Sequence, residues 1–599
     1  MTKLADTKLK LERILEATNV AELLDEEALN ELGDLCHADY TGDRQSRSEW
    51  ETRMVDARRL ALQISDKKSS PWEGSSNVKF PLLTIASLQF SARAYPALIS
   101  GTDIVKCRTI GWDQTGEKFH RAKRVSQYMS YQVLEEDEGW EEEMDRLLAV
   151  MPIMGMGIKK TYYDPVKQRI CGENVLATDL VVNYWAKSLE SAMVKTQMFL
   201  SSPQEIKERM LAELYLDMVL GPAVTLDPLF TNTMTDRGHN SGAPNQESSP
   251  RLLLEQHRYI DLDGDDYKEP YCVTLDEATK KVLRIYPSFT DMDIRYDLEA
   301  ELQLVKNTLQ AAMNTATTPE DVNDIKKIGL TKLDELNRRK RIIKIKPIEY
   351  YTKYPFIPAP DGSFYDIGFG VLLGPLNDSV DTIINQLIDA GTLQNSNIGF
   401  LGRGARLKGG DLKFKPNEWK RIDVAGADLK SNIVQLQFNQ PSAVLFNLLN
   451  LLINYSERLS SVTEMMVGET PGQNTPATTS MAALEQGMKV FTGIFKRVYR
   501  SMKKEFQKIY IMNRLYLPPQ SYFMVLDSGE PAEVLQKDFS GDPTDIAPAA
   551  DPNVISDTQR LQKAEFLSQR AQMVPGYNLP AVERRLLEEM KIEDVNSEI

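Results

Sequence analysis

Four histidines, four cysteines and several dense carboxylate runs are the residues of this 599-residue chain with the chemistry to make a site. The histidines are His37, His120, His239 and His257, and none falls in an H-E-x-x-H pattern or a Cys/His zinc spacing. Cys36, Cys107, Cys171 and Cys272 lie far apart and form no C-x-x-C pair. Reduced thiols in a cytoplasm are therefore expected rather than a disulfide framework. Cys36 beside His37 on a helical segment reads as a buried thiol next to an exposed imidazole. The chain contains no Gly-Lys dipeptide, which excludes a Walker A loop and with it a P-loop ATPase motor. Gly155-x-Gly157 and Gly368-x-Gly370 lack the third glycine of a dinucleotide fingerprint and read as backbone turns that admit close packing. The turn Asp261-Leu262-Asp263-Gly264-Asp265-Asp266 resembles a calcium loop. It fails the EF-hand pattern because position six is Asp266 instead of Gly and position twelve is Cys272 instead of Glu, so a hairpin turn is expected. The run Glu135-Glu136-Asp137-Glu138 with Glu141-Glu142-Glu143 offers carboxylates for a nuclease-type metal site, but it reads as a solvated helix face. No catalytic residue, metal ligand or cofactor site is expected, and the chain reads as a non-enzyme.

Two basic features remain. Arg338-Arg339-Lys340-Arg341, followed by Lys344 and Lys346, is the densest cluster. It either faces nucleic acid or an acidic partner, or complements the negative end of a helix dipole. Lys489, Lys496, Arg500, Lys503 and Lys504 form a basic face on a helix whose core stripe is Phe491, Ile494, Phe495, Val498, Met502, Phe506 and Ile509. Against these stands a formal net charge of −15. A chain this acidic does not coat DNA through counterion release, yet an acidic wall suits a conduit that phosphate must pass without sticking.

The elements that would position these residues are mostly helical. Residues 1–66 read as helices, 82–98 as another and 117–150 as one long helical stretch. Short β-branched and aromatic runs over 155–182, and again at 252–260, 271–275 and 282–286, read as antiparallel strands. Residues 221–250, rich in Gly, Pro, Ser, Asn and Thr, read as a linker, and 291–341 as a helical hairpin. A helix over 376–393 has the apolar face Leu376, Val380, Ile383, Ile384, Leu387 and Ile388. Residues 398–438 are strand-like. Two long helices follow around a loop at 467–479 that carries no Lys or Arg, and the first has a polar stripe of Asn447, Asn450, Asn454 and Ser461. Two helices separated by Pro575-Gly576 close the chain. No apolar run reaches the roughly 20 residues of a membrane helix. The fold class expected is mixed α+β, dominated by helices.

An ordered set of motifs resembles the portal proteins of tailed double-stranded DNA phages, especially the short-tailed ones. It begins with Pro71-Trp72-Glu73-Gly74-Ser75-Ser76-Asn77-Val78, Phe80-Pro81-Leu82 and Arg93-Ala94-Tyr95-Pro96. Gly155-Met156-Gly157-Ile158-Lys159 and Asp179-Leu180-Val181-Val182 resemble the family's wing. Tyr354-Pro355-Phe356-Ile357-Pro358, Gly362-Ser363-Phe364-Tyr365, Gly368-Phe369-Gly370 and Asn385-Gln386-Leu387-Ile388-Asp389-Ala390-Gly391 resemble the passage from clip to stem. Arg458-Leu459-Ser460-Ser461-Val462-Thr463-Glu464, Gly468-Glu469, Pro476-Ala477-Thr478-Thr479 and the helix after them resemble the channel region.

The resemblance implies a portal fold of wing, stem, clip and crown, assembled as a ring of about twelve copies around a central channel at one capsid vertex of the virion. It implies double-stranded DNA in the channel, and the terminase, major capsid and scaffolding proteins and tail adaptor proteins as partners, with no membrane and no cofactor. The expected organisation is an N-terminal helical segment 1–66, a wing region 67–220, a linker 221–250, a clip-like region 251–358 and a stem helix 359–398. Wing strands and a long helix at 399–466, a channel loop 467–479, a channel helix and return 480–540 and a crown-like segment 541–599 follow. Gly468, Glu469, Thr470, Gln473, Asn474 and Thr475 are the expected channel-loop residues, the basic face at Lys489–Lys504 lines the channel helix, and Arg338–Arg341 dock the motor. Another head-tail adaptor ring is the alternative reading, followed by an enzyme of the packaging machinery.

Overall fold

The computed structural model describes residues 9–65, 71–72, 75–99, 104–107, 116–137, 139–220, 250–297, 305, 307–308, 341–395, 399–401, 405–407, 422–424, 433–435, 442–460, 477–526, 531–540, 546–548, 557–574 and 576–590. In chain order, the helices are α1 (Leu11–Glu16), α2 (Glu26–Ser46), α3 (Ser48–Ala61), α4 (Leu82–Leu98), α5 (Glu117–Tyr131), α6 (Trp140–Met154), α7 (Pro203–Leu211), α8 (Phe369–Asn395), α9 (Ala443–Ser460), α10 (Ala477–Tyr516), α11 (Asp557–Met573) and α12 (Leu579–Glu589). The strands used below are β1 (Val105–Cys107), β2 (Met156–Asp164), β3 (Arg169–Val175), β4 (Leu180–Val182), β5 (Lys195–Ser201), β6 (Arg251–Ile260), β7 (Glu269–Asp276), β8 (Val282–Pro287), β9 (Ile294–Tyr296), β10 (Ile342–Ile345) and β11 (Tyr351–Pro355). The chain is mixed α+β and divides into two compact units. The first comprises 1–54, 93–367 and 492–599, and the second 55–92 and 368–491.

The first unit is built on two antiparallel sheets, ordered β4-β5-β6-β7-β8 and β11-β2-β3. One face of the larger sheet carries Val181, Met198, Leu252, Leu254, Tyr271, Val273 and Ile285. Against it pack Ile14 of α1 and Leu32, Cys36 and Tyr40 of α2. Asp25 caps α2 by accepting from the Ala28 N–H at 2.8 Å, and Glu26 and Glu27 complement the positive end of its dipole. Gly33 lets α2 approach the turn before β8, because a Cβ there would lie 2.1 Å from the Lys280 carbonyl. At the elbow between α2 and α3, fully buried Arg47 donates to the carbonyls of Leu180 at 2.7 Å and Thr178 at 2.5 Å and pairs with Glu51 at 2.8 Å. The elbow is thereby fixed to β4.

Several boundaries differ from those expected. The stretch 117–150 is two helices, because a π-turn at Gln132–Glu136 ends α5 and α6 starts afresh at Trp140. Residues 291–296 form a 3-10 turn and β9, paired with β10, where the start of a helical hairpin was expected; most of 297–341 lies outside the described residues. There Thr290 donates to Asp293 Oδ2 from both its N–H at 3.0 Å and its hydroxyl at 2.6 Å, closing the turn that leads into β9. Strands β4 and β5 share one sheet with β6, β7 and β8, so the expected wing and clip-like regions meet inside a single sheet. The aromatic stretch after Pro347 supplies β11, which pairs with β2 from Tyr351↔Lys160 to Pro355↔Met156.

In the second unit α8 packs on α9. It begins at Phe369, so Gly370 is helical and not part of a turn, and Pro375 is accommodated within it. Of the expected apolar face, Val380 and Ile383 are buried, Leu376, Ile384 and Leu387 half-buried, and Ile388 exposed. Short strand pairs Gly399–Leu401 with Ile433–Gln435 and Ala405–Leu407 with Ile422–Val424 occupy the strand-like stretch. The linker 221–249 lies outside the described residues. Among the described residues no helix is long and apolar enough to cross a membrane.

Candidate functional site

The expected basic face lies on α10. Lys496 and Arg500 are exposed, Lys503 is half-buried, and Lys504 pairs with Glu190 at 2.8 Å. The Lys489 side chain is outside the described residues, as are the channel-loop residues Gly468, Glu469, Thr470, Gln473, Asn474 and Thr475 and the cluster residues Arg338, Arg339 and Lys340. Arg341 is exposed and enters β10 with its N–H bound to Asp297 Oδ1 at 2.8 Å. The opposite side of α10 holds the apolar stripe: Ile494, Phe495, Val498, Met502, Phe506 and Ile509 are all buried.

That inner side also carries a charge missed by the sequence reading. Glu505 is fully buried, and Lys159 Nζ lies 3.0 Å from its Oε1. Trp140 Nε1 donates to the same oxygen at 2.8 Å, while the Tyr354 hydroxyl donates to Oε2. The Lys159 ammonium also sits 4.2 Å from the Trp140 ring centroid. Burial pulls the Lys159 pKa down, and the Glu505 carboxylate opposes it. Four elements, β2, α6, β11 and α10, are pinned at this one carboxylate.

Neighbouring Lys160 points to the other face of the sheet, as strand alternation requires. Its Nζ lies 2.8 Å from Glu255 Oε1, which also meets His257 Nε2 at 3.1 Å and the Tyr351 hydroxyl at 3.2 Å. Burial would raise the Glu255 pKa, but the Lys160 ammonium overrides it and holds the carboxyl well below its usual range. Burial lowers the pKa of His257 and raises that of Cys272. Glu255, His257 and Cys272 present ligand atoms within 4.8 Å of one another, but a cation, Lys160, already sits on the carboxylate. This group is a closed, charge-balanced cluster rather than an open site.

The glycine pair at 155 and 157 does what its spacing suggested. Gly155 ends α6 at φ 90°, and a Cβ on Gly157 would lie 2.8 Å from Leu147. The acidic run is structural. Asp137 accepts from Gly172 N–H at 2.9 Å and Glu143 from Asn174 N–H at 3.1 Å, tying the start of α6 to β3, while Arg146 pairs with Glu142 and Glu143.

In the second unit, a second polar array joins two of the stretches that carry the resemblance. Asn377, Asp381, Asn385 and Asp389 project from one side of α8 at four-residue intervals, all buried. The segment Ser76–Phe80 runs antiparallel to them. Its alternate N–H groups donate to Asp389 Oδ1 from Ser76 at 2.7 Å, to Asn385 Oδ1 from Val78 at 2.7 Å and to Asp381 Oδ1 from Phe80 at 2.7 Å. Asn385 Nδ2 returns a bond to the Val78 carbonyl at 3.0 Å, and Lys79 pairs with Asp381 at 3.1 Å. The repeats nearly match. Four helical residues rise about 6.0 Å, and two extended residues span about 6.6 Å.

Beside α8, α9 has three distinct sides. Leu445, Leu449, Leu452 and Ser456 are half-buried or buried along one seam. The expected Asn447, Asn450 and Asn454 stripe is exposed. Between them, Val444, Leu448, Leu451, Tyr455 and Leu459 form a stripe that is 40% to 69% exposed.

Compared with known proteins, the chain matches no family model and no curated protein.

Proposed function

We propose that this chain is a portal subunit of a tailed double-stranded DNA phage, a non-enzymatic ring component whose channel passes the genome and whose outer surfaces dock the terminase, the capsid and scaffolding proteins and later the tail. The observation that carries the reading is the exposed apolar stripe of α9. A helix that is apolar on two adjacent sides has two sides to bury, and α8 supplies cover for only one. A ring supplies the other, because its head-to-tail contact sets one surface of a subunit against a different surface of the next. The strap of Ser76–Phe80 on α8 supports the same reading, since it unites in space two sequence stretches, 71–82 and 385–391, that carry the family resemblance separately. The exposed Lys496 and Arg500 on α10 then fall to the interface or the channel wall, and Arg338–Arg341 to the motor. The net charge of −15 suits a channel that releases DNA.

The test is light scattering of the purified chain beside Leu448→Glu and Leu451→Glu. The wild type is expected as a large closed oligomer. The variants should keep their far-ultraviolet circular dichroism and dissociate at least about 30-fold more readily, the loss expected at a buried interface anchor of about 2 kcal/mol. Variants that assemble like the wild type would remove the observation on which the proposal rests.

A further inference from the structure

The turn between β6 and β7 holds a carboxylate cluster that the ring reading does not use. Asp261, Asp263, Asp265 and Glu269 each bring a carboxylate oxygen within 4.8 Å of the others. The charged neighbours that act on Asp263 and Glu269 are other members of the same cluster. Glu269 is the decisive residue. It is fully buried, and its Oε1 accepts no hydrogen bond, while Oε2 takes long bonds from the Leu262 N–H at 3.5 Å and the Tyr271 hydroxyl at 3.4 Å. A buried carboxylate oxygen without a donor is costly, and the Glu269 carboxylate has three further carboxylates within 4.8 Å of it.

We propose that Asp261, Asp263, Asp265 and Glu269 bind one calcium ion. An all-oxygen ligand set selects a hard cation and disfavours zinc or copper. Calcium takes about six to eight oxygens in a flexible shell that four carboxylates on one turn can begin to fill, whereas magnesium demands a near-ideal octahedron and is usually held by one or two carboxylates. The loop geometry also answers the objection raised by the sequence. Position six of a calcium loop needs a left-handed backbone, and Asp266 adopts it at φ 68°. Aspartate is among the few side chains that tolerate that region. The fourth carboxylate comes from Glu269 at position nine, so none is needed at position twelve. Backbone N–H groups of Gly264 and Asp266 hold Asp261, that of Asp265 holds Asp263 and that of Tyr267 holds Asp265, at 2.7 to 3.1 Å. The ion would close the end of the β6–β7 hairpin directly beside Leu262 and Tyr271 of the main core.

The experiment uses the full chain stripped with a chelator and titrated with calcium chloride by calorimetry. Terbium emission sensitised by Tyr267 and Tyr271 is the parallel readout. One site per chain is expected, with magnesium at least about tenfold weaker, and a higher thermal midpoint in calcium than in chelator. Asp263→Asn and Glu269→Gln should each weaken binding at least about tenfold. In chelator, Glu269→Gln should melt no lower than the wild type, because the amide removes a like-charge contact. If that variant fails to fold, Asp265→Asn at the exposed position provides the same reading. No calcium heat and no terbium emission from the wild type, or equal binding by the wild type and the variants, would overturn the proposal.

Discussion

On α10 in the first unit, one buried carboxylate gathers an ammonium, an indole N–H and a phenol from three other places in the chain. On α8 in the second, three buried polar side chains in a row receive the backbone of an extended strap, and a fourth, Asn377, accepts from Leu83 at the start of α4. Both arrangements bury polarity on a long helix, but the partners differ. At Glu505 the energy is concentrated in one charge pair, so removing either partner strands the other in the interior. On α8 each rung is a separate side-chain-to-backbone bond, so neighbouring rungs are expected to persist when one is removed. The first arrangement fixes one point between β2, α6, β11 and α10. The second fixes the register of a segment along a helix, because a slip of one residue would turn every donating N–H away from its acceptor.

The largest effect expected from breaking this contrast is at Glu505. Glu505→Ala should destabilise the first unit by about 3–5 kcal/mol, the usual result of leaving a buried charge unpaired. Adding Lys159→Met should recover a substantial part of it. Denaturant unfolding followed by the fluorescence of Trp140 reads both. Equal losses in the single and double variants would show that packing, not charge, sets the cost.

Next comes Glu255, whose pKa lies below its ordinary value near 4.5 because of Lys160. A carboxyl depressed in the folded state binds fewer protons there than in the unfolded chain. It therefore adds stability above about pH 4.5 and loses it as the pH falls below that value. Glu255→Gln should cost about 3 kcal/mol at pH 7, and its gap to the wild type should narrow between pH 4.5 and pH 2 in a series of thermal melts. A gap independent of pH would contradict the charge argument.

The smallest effects belong to the ladder. Asn385→Leu and Asp381→Leu should each cost about 1–3 kcal/mol, the penalty for a buried backbone donor left without its acceptor. Hydrogen exchange should quicken at Val78 or Phe80 first and leave Ser76 protected. Uniform loss of protection across 76–80 would mean that the strap docks as a single unit.

Much of this contrast was visible in the spacing of residues. The α10 core stripe followed the helical period and is buried throughout its described length. The same period places Glu505 between Met502 and Ile509 on that inner side, so a charge at a core position was the available signal. Lys159 and Lys160 sit in a strand, where alternation sends adjacent side chains to opposite faces, but nothing local in sequence names Glu505 or Glu255 as their partners. The four-residue spacing of Asn377, Asp381, Asn385 and Asp389 was equally legible. Read alone, it resembles a solvated face, because the strap that covers it comes from about 300 residues earlier in the chain. Residue type alone argues against a calcium loop at 261–272, whereas the conformation of Asp266 and the burial of Glu269 depend on the hairpin that holds them.

The most direct test of the ring reading is electron imaging of the purified chain, with its native mass measured in parallel. Closed rings of about twelve copies are expected, around a hole wide enough for a duplex whose major groove alone is about 12 Å across. A stable monomer or two-fold dimer over a range of salt and protein concentration would contradict it.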